Sequence, residues 1–300
     1  MTQISPYPQQ VEIIEVGPRD GLQREPTLIS IDDKAALIAA LVVAGLRRIQ
    51  VTSFVHPRLV PQMADAEALC RRLPQVPGVV YSGLALNLKG VERAQQAGLR
   101  YVDVSVSVSE AHSRRNANRS VADALTGFQE MVQQARAYGM SVRGGIQCAF
   151  GYRQADDVAP ETVLEIARHH LDLDVDELAL ADSSGLANPR QLQALLAEIM
   201  LLAGDVPVIL HLHDTRGMGL ANVLAALQCG VRHFDTAFGG LGGCPFIEDA
   251  AGNIATEDTA YMLHEMGIET GIDLAKLAAI SREYEERLGK KLPGKLYTLL

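Results

Sequence analysis

The chain has no tryptophan, and its aromatic residues make up only 5% of 300 positions. Hydrophobic residues still account for 48%, so the core must be packed from aliphatic side chains. That much apolar surface offsets ordering entropy and excludes a disordered chain. Positive charge is also scarce: 27 Lys and Arg stand against 36 Asp and Glu, a formal net charge of −9. A sequence pI near 5.4 argues against a nucleic-acid binder that works through a global positive field. Cysteines number four, Cys70, Cys148, Cys229 and Cys244, with no CxxC pair among them. This density excludes a disulfide scaffold and offers no thiolate zinc motif. No run of about 18 apolar residues occurs, so no membrane span or membrane partner is expected. The opening MTQISPYPQQ lacks a basic stretch followed by an apolar one, so no signal peptide is expected. The expectation is a soluble protein of a reducing compartment, the cytoplasm.

What is present is an alternation of strands and amphipathic helices. Strand patterns fall at 11–16, 47–54, 79–86, 101–108, 141–150, 177–182, 207–214 and 233–238. Helical periodicity is clearest at 32–44, 121–138, 160–171, 189–202 and 218–228. Ser30 and Asp33 resemble a capping box at the first helix. Glycine stops such as Ala44-Gly45-Leu46 and Ala97-Gly98-Leu99 precede strands. Eight such units predict an α/β fold, a (β/α)8 TIM barrel, for which about 250 residues suffice. A doubly wound open sheet is the alternative. However, the first strand runs into Gly17-Pro18-Arg19-Asp20 rather than a dinucleotide-binding glycine fingerprint. The expected layout is a tail over 1–10, a catalytic barrel over 11–272 and a helical extension packed on it over 273–300. The aliphatic excess is expected to fill the barrel interior and the layer beneath the helices.

In such a barrel the chemistry sits at the C-terminal ends of the strands. The seventh strand ends His211-Leu212-His213, and residues two apart share a strand face, so both imidazoles can bind one cation. A hydrogen-bonded pair of core histidines is the alternative. The first strand ends at Arg19-Asp20, a hard oxygen ligand beside a fixed cation suited to a carboxylate or oxyanion. A buried structural ion pair would read the same way. Two histidines with carboxylate oxygen suit Mn2+, Mg2+, Zn2+ or Fe2+. After the eighth strand, Gly239-Gly240-Leu241-Gly242-Gly243-Cys244-Pro245 reads as a hinged loop that delivers Cys244. A phosphate cradle fits less well, because no helix starts directly after it. Asn253 follows, and Thr256, Glu257 and Asp258 read as a helix cap.

At these residues the sequence resembles the 3-hydroxy-3-methylglutaryl-CoA lyase family, within the DRE-TIM metallolyase group. The resemblance spans roughly 11–289. It is carried by EVGPRDGLQ at 15–23, TSFVHPRLVPQMAD at 52–65, NLKG at 87–90, SVRG at 141–144, HLHDTRGMGLANVLAALQCGV at 211–231, and GGLGGCPF with AGNIATED across 239–258. It implies one divalent cation, Mg2+ or Mn2+, held by Asp20, His211, His213 and Asn253. Arg19 would stand at the substrate's thioester carbonyl and Cys244 would be a mobile acid–base thiol, with Asp20 and His211 also catalytic. Arg19, Gln23, Gln50, Ser53, Arg114 and Arg115 would contact an acyl-CoA substrate, and the enzyme would be a homodimer. The implied reaction is retro-Claisen cleavage to acetyl-CoA and acetoacetate. Against the net negative field, the coenzyme's phosphates would need local charge. The Arg114–Arg119 cluster is the candidate, with Arg24 and Lys89 as others, and a solvated surface cluster as the alternative.

The sequence also departs from the family. Gln50 stands where members carry a glutamate; it keeps the size and one acceptor but loses the charge that would balance Arg19. Gly145 replaces an aromatic, predicting a roomier or reshaped pocket, and Ser183 replaces a threonine. Three functions stay open: a lyase on this substrate, a related lyase or aldolase on another 3-hydroxyacyl-CoA or 2-hydroxy acid, and a non-catalytic metal- or ligand-binding relative. If only charge was lost at position 50, Gln50→Glu is expected to raise activity.

Overall fold

The computed structural model describes residues 7–155, 157–243 and 252–300. The strand patterns become β1 (Glu12–Glu15), β2 (Arg48–Ser53), β3 (Val80–Ala85), β4 (Tyr101–Ser107), β5 (Ser141–Gln147), β6 (Glu177–Ala181), β7 (Val208–His211) and β8 (His233–Thr236). Each is shorter than its sequence pattern, because the last residues leave the ladder to form the loops at the barrel mouth. Neighbours pair in parallel, and β8 returns to β1 through Glu12–Glu15 against His233–Thr236, so the sheet closes as a TIM barrel. β2 carries one extra residue against β3 between Gln50 and Thr52.

The helices are α1 (Ile31–Val43), α2 (Ala66–Cys70), α3 (Leu88–Gln96), α4 (Glu110–Ala117), α5 (Val121–Ala137), α6 (Pro160–Asp172), α7 (Pro189–Ala203), α8 (Gly219–Gln228), α9 (Thr256–Glu265) and α10 (Leu274–Leu288). The Ser30 hydroxyl accepts from the Asp33 N–H at 3.1 Å and donates to the Asp33 carboxylate at 2.6 Å, so α1 starts at the cap read from sequence. α10, in the C-terminal extension, is tied to that same turn by Arg287 and Asp33 at 2.7 Å. No described helix is long and apolar enough to cross a membrane.

The barrel interior departs from expectation. Aliphatic side chains fill the layer between strands and helices: Val102, Val104 and Val106 of β4 are buried, as are Val142 and Ile146 of β5. The alternate residues face inward, and many are ionic. Arg48 on β2 reaches Glu177 on β6 through two bonds of 2.5 and 2.8 Å, and Glu12 on β1 at 3.0 Å. It also lies over the Tyr101 ring of β4. Arg143 on β5 grips Asp235 on β8 at 2.9 and 2.5 Å. Contacts between non-adjacent strands can only pass through the middle of the barrel. The centre thus holds paired charges beside a few aliphatic side chains such as Ile14 and Ile209, and most of the aliphatic excess lies outside it.

Candidate active site

The chain leaves β1 through a single π-turn, Gly17–Gly21, in which the N–H groups of Asp20 and Gly21 both point to the Val16 carbonyl. Wide turns of this kind are frequent at functional sites. This one presents Arg19 and Asp20 side by side, with Arg19 Nη1 2.5 Å from Asp20 Oδ1. Gln23, one turn on, donates to the same oxygen at 3.0 Å.

Two strands round the ring from β1, past β8, the end of β7 delivers His211 and, just beyond it, His213. Their Nε2 atoms lie 3.1 Å apart, and with a carboxylate oxygen of Asp20 they form a cluster within 4.8 Å. A fourth group comes from residues 252–255, which run extended between the ends of β7 and β8. Asp214 N–H bonds Gly252 O and Ile254 N–H bonds Leu212 O on one side, and Ala237 N–H bonds Ile254 O on the other. This pairing sets Asn253 opposite His213. The Asn253 amide donates to Asp20 Oδ2 and to Leu241 O, both at 2.9 Å, which leaves its Oδ1 buried with no partner among the described residues. Glycine is obligatory around it. A Cβ on Gly242, at φ +107°, would fall 2.5 Å from the Asn253 amide, and one on Gly252 would fall 1.8 Å from Gly242 O.

The electrostatics suit a cation. Burial pushes the Asp20 carboxyl up, but the Arg19 guanidinium, His211 and the hydrogen bond from the Asn253 amide outweigh it and hold it below its usual range. Burial and the neighbouring His211 push His213 down to about 3, so its ring is neutral at pH 7, the form that ligates. His211 is oriented from behind: its Nδ1 meets Asp235 Oδ2 at 3.1 Å, leaving Nε2 for the cluster. The Arg143 guanidinium holds the Asp235 carboxyl well below the carboxylate range against the effect of burial. Two imidazole nitrogens aimed at each other, a carboxylate and an orphaned amide oxygen fit one divalent cation better than a hydrogen-bonded core pair.

The other sequence-predicted residues divide. Gln50 lies beside Arg19 and accepts from its Nε. Ser53, at the end of β2, is buried with its hydroxyl unpartnered among the described residues. Arg114 and Arg115 sit on exposed faces of α4, Arg114 in an ion pair with Glu110 at 2.7 Å. Cys244 lies outside the described residues. At Gly145 there is no void: an added Cβ would meet Ser105 Cβ at 2.9 Å, and Gln147 donates to the Ser105 hydroxyl at 3.0 Å. Ser105 and Gln147 line a cleft together with Ser107, Ser113, Asn116 and Arg119.

Glu257 and Asp258 do not cap α9. Glu257 accepts the Gly239 N–H at 2.9 Å and the Ser281 hydroxyl of α10, and Asp258 accepts from the N–H groups of Lys295 and Leu296 at 3.0 and 2.7 Å. Glu15 holds the N–H groups of Gly17 and Phe238 at 2.7 and 3.0 Å. These buried acids fix where the glycine loop begins. Sequence reasoning missed Asp235, Arg143, Asp103 and Asp182. Their signal was an ionisable residue at alternate positions of otherwise apolar strands, as in YVDV, SVRG and HFDT. Asp182 accepts from the N–H groups of Leu186 and Ala187, and burial pushes its carboxyl up to about 6.

A closed (β/α)8 barrel with this donor cluster and an arginine at its C-terminal mouth defines a TIM-barrel enzyme with a candidate site for a divalent cation. The chain belongs to the HMGL-like family, whose model matches residues 10–283. It is 39% identical over 290 residues to the hydroxymethylglutaryl-CoA lyase YngG of Bacillus subtilis, covering 97% of each chain. Identity to the hydroxymethylglutaryl-CoA lyase of Pseudomonas mevalonii is 42% over 284 residues, covering 94% of this chain and 93% of the relative. Among solved structures, the Bacillus subtilis HMG-CoA lyase superposes with a TM-score of 0.94 at 39% identity, covering 98% and 99% of the two chains. An HMG-CoA lyase from Acinetobacter baumannii, in complex with coenzyme A and 3-methylmalate, superposes with a TM-score of 0.93 at 38% identity, covering 99% and 96%.

Proposed function

We infer that this chain is a metal-dependent carbon–carbon lyase that cleaves 3-hydroxy-3-methylglutaryl-CoA to acetyl-CoA and acetoacetate. The observation that carries this reading is the convergence of Asp20, His211 and His213 with the unpartnered Asn253 oxygen next to Arg19. The lyase relatives at about 40% identity over nearly the whole chain support it, and the coenzyme A complex of one neighbour supports an acyl-CoA substrate.

Asp20, His211, His213 and Asn253 would hold Mg2+ or Mn2+. When bound, such a cation lowers the pKa of a substrate hydroxyl and offsets the alkoxide charge. Asp20 would take up the hydroxyl proton, while His211, its Nδ1 on Asp235 and its Nε2 turned to the cation, would hold that cation in place. As the carbon–carbon bond breaks, its electron pair passes into the thioester, and Arg19 stabilises the charge developing on the enolate oxygen. Cys244 is the proposed donor of the proton that turns the enolate carbon into a methyl group, since a thiol's pKa lies close enough to neutral pH. Gln23 steadies Asp20, and Ser53 offers a free hydroxyl to substrate. Arg114 and Arg115 are the proposed contacts for the coenzyme's phosphates. We further propose a cytoplasmic homodimer in which 273–300 is an extension packed on the 11–272 barrel.

The test is incubation of the metal-loaded protein with 3-hydroxy-3-methylglutaryl-CoA. Equimolar acetyl-CoA and acetoacetate are expected, with dependence on Mg2+ or Mn2+. Gln50 and Gly145 favour a second reading, a lyase for another 3-hydroxyacyl-CoA or 2-hydroxy acid. Cleavage of such a compound but not of the first would establish it.

A further inference from the structure

We propose that Asp103 is a positioning residue for Arg19, acting through Gln50. The negative charge absent from position 50 is supplied two strands along the barrel, on β4. This deepens the lyase reading above and rests on it.

The argument begins with donors and acceptors. The Arg19 Nε–H donates to Gln50 Oε1, and Gln50 Nε2 donates to Asp103 Oδ2 at 2.6 Å. Arginine only donates and an ionised carboxylate only accepts, so the amide between them can stand only one way round. Asp103 therefore fixes the orientation of Gln50, and Gln50 in turn gives Arg19 its acceptor. Ser82 on β3 donates to the same carboxylate oxygen at 2.7 Å. Gln50 and Asp103 are 3% and 6% exposed, so bulk water does not stand in for either partner. The other oxygen, Asp103 Oδ1, makes no hydrogen bond among the described residues and lies 3.7 Å from Arg143 Nε. Arg143 is itself clamped on Asp235, which backs His211. The carboxylate thus stands between two guanidinium groups, in line with the chain Arg19–Gln50–Asp103–Arg143–Asp235–His211. The extra residue in β2 falls directly after Gln50. Bulges of this kind re-aim strand side chains beside active sites.

Two consequences separate this reading from a merely structural ion. In Asp103→Asn, the Arg143 guanidinium draws the oxygen of the new amide, so its NH2 faces Gln50. Gln50 then turns round and presents its own NH2 to Arg19, donor against donor. In Gln50→Glu, two carboxylates abut at the place of the 2.6 Å bond, so this variant is expected to lose activity, the reverse of the expectation from sequence. Combining the two substitutions restores a matched set, because the new carboxylate at position 50 accepts from both Arg19 and the new amide.

The experiment measures kcat and KM on 3-hydroxy-3-methylglutaryl-CoA for the native protein, D103N, Q50E and Q50E/D103N. It also records the slowly exchanging Arg19 Nε–H by heteronuclear NMR. We expect kcat to fall about 10- to 100-fold in D103N and in Q50E with KM and metal content little changed. The Arg19 Nε–H signal should be lost in D103N, and the double variant should recover both readouts. If D103N does not fold, the comparison of Q50E with the double variant decides. Native-like kcat and signal in D103N, or a double variant no better than Q50E, overturns the proposal. A native protein that leaves this substrate intact removes the lyase reading instead, and the NMR arm still judges the positioning.

Discussion

The two ends of the barrel interior use the same residue types to opposite effect. At the lower end Arg48, Glu177, Glu12 and His233 satisfy one another, with bonds of 2.5 to 3.2 Å. At the upper end, polar atoms are left over: Asn253 Oδ1, His213 Nδ1, Ser53 Oγ and one oxygen each of Asp103 and Asp182 are buried with no hydrogen-bond partner among the described residues. Buried polar groups are normally paired, so a cluster of orphans marks a place shaped for something else. Closed networks hold the barrel together, and open ones bind and react.

Four experiments probe that contrast. The largest effect is expected at the open end. His213→Ala should reduce bound Mn2+, read by mass spectrometry of the metal content, and turnover to background, with the fold intact by circular dichroism. A variant that keeps both would remove the cluster from the mechanism. At the closed end, Arg48→Met strands Glu177, and loss of one partner of a buried pair costs about 3–5 kcal/mol. Urea unfolding should show that loss, while kcat per folded molecule stays native; a matching fall in kcat would show that the two ends are not separable.

A smaller effect lies in the acids behind the glycine loop. Burial raises Glu257 from its ordinary 4.5 to about 7, and Glu15 to about 8. A carboxyl raised on folding binds its proton more tightly in the native state. The stability it permits is therefore complete below pH 4.5 and is lost as pH rises through about 7. Glu257→Gln should flatten the fall in Tm between those limits, by up to ~3 kcal/mol in stability. A slope equal to the native one would sink this assignment. The smallest effect is expected on the exposed rim, where neutralising Arg114 and Arg115 should raise KM for the acyl-CoA severalfold and leave kcat alone. An unchanged KM would take these arginines out of the coenzyme site.

The barrel itself was legible because a strand and a helix recur eight times, each with its own periodicity and stop signal. The histidine pair and Asp20 were legible because strand ends are where such folds place their chemistry. The interior was read less well. Buried parallel strands are usually continuous apolar runs, yet β4 reads YVDVSVS, an alternation that ordinarily marks one wet face. Here the second face is dry and ionic, and which arginine meets which carboxylate depends on strands up to 129 residues apart. No local pattern encodes that. The surroundings of Gln50 were hidden for the same reason: its partner Asp103 lies 53 residues away. The change looked like a deleted charge when seen alone.

The seam between β1 and β8 is where the closed ring joins the first strand to the last. Asp20 follows one side of it and Asn253 the other, and their side chains meet at 2.9 Å. A chain emerging from a ribosome therefore owns half of this site early and completes it only after some 250 residues have been made. Any ligand that touches both halves binds the joined ring and not the open one, so its binding energy is added to the work of parting the seam. Occupancy then doubles as a lock on the last-formed joint of the molecule, and heat or denaturant should find that joint weakest when the site is stripped.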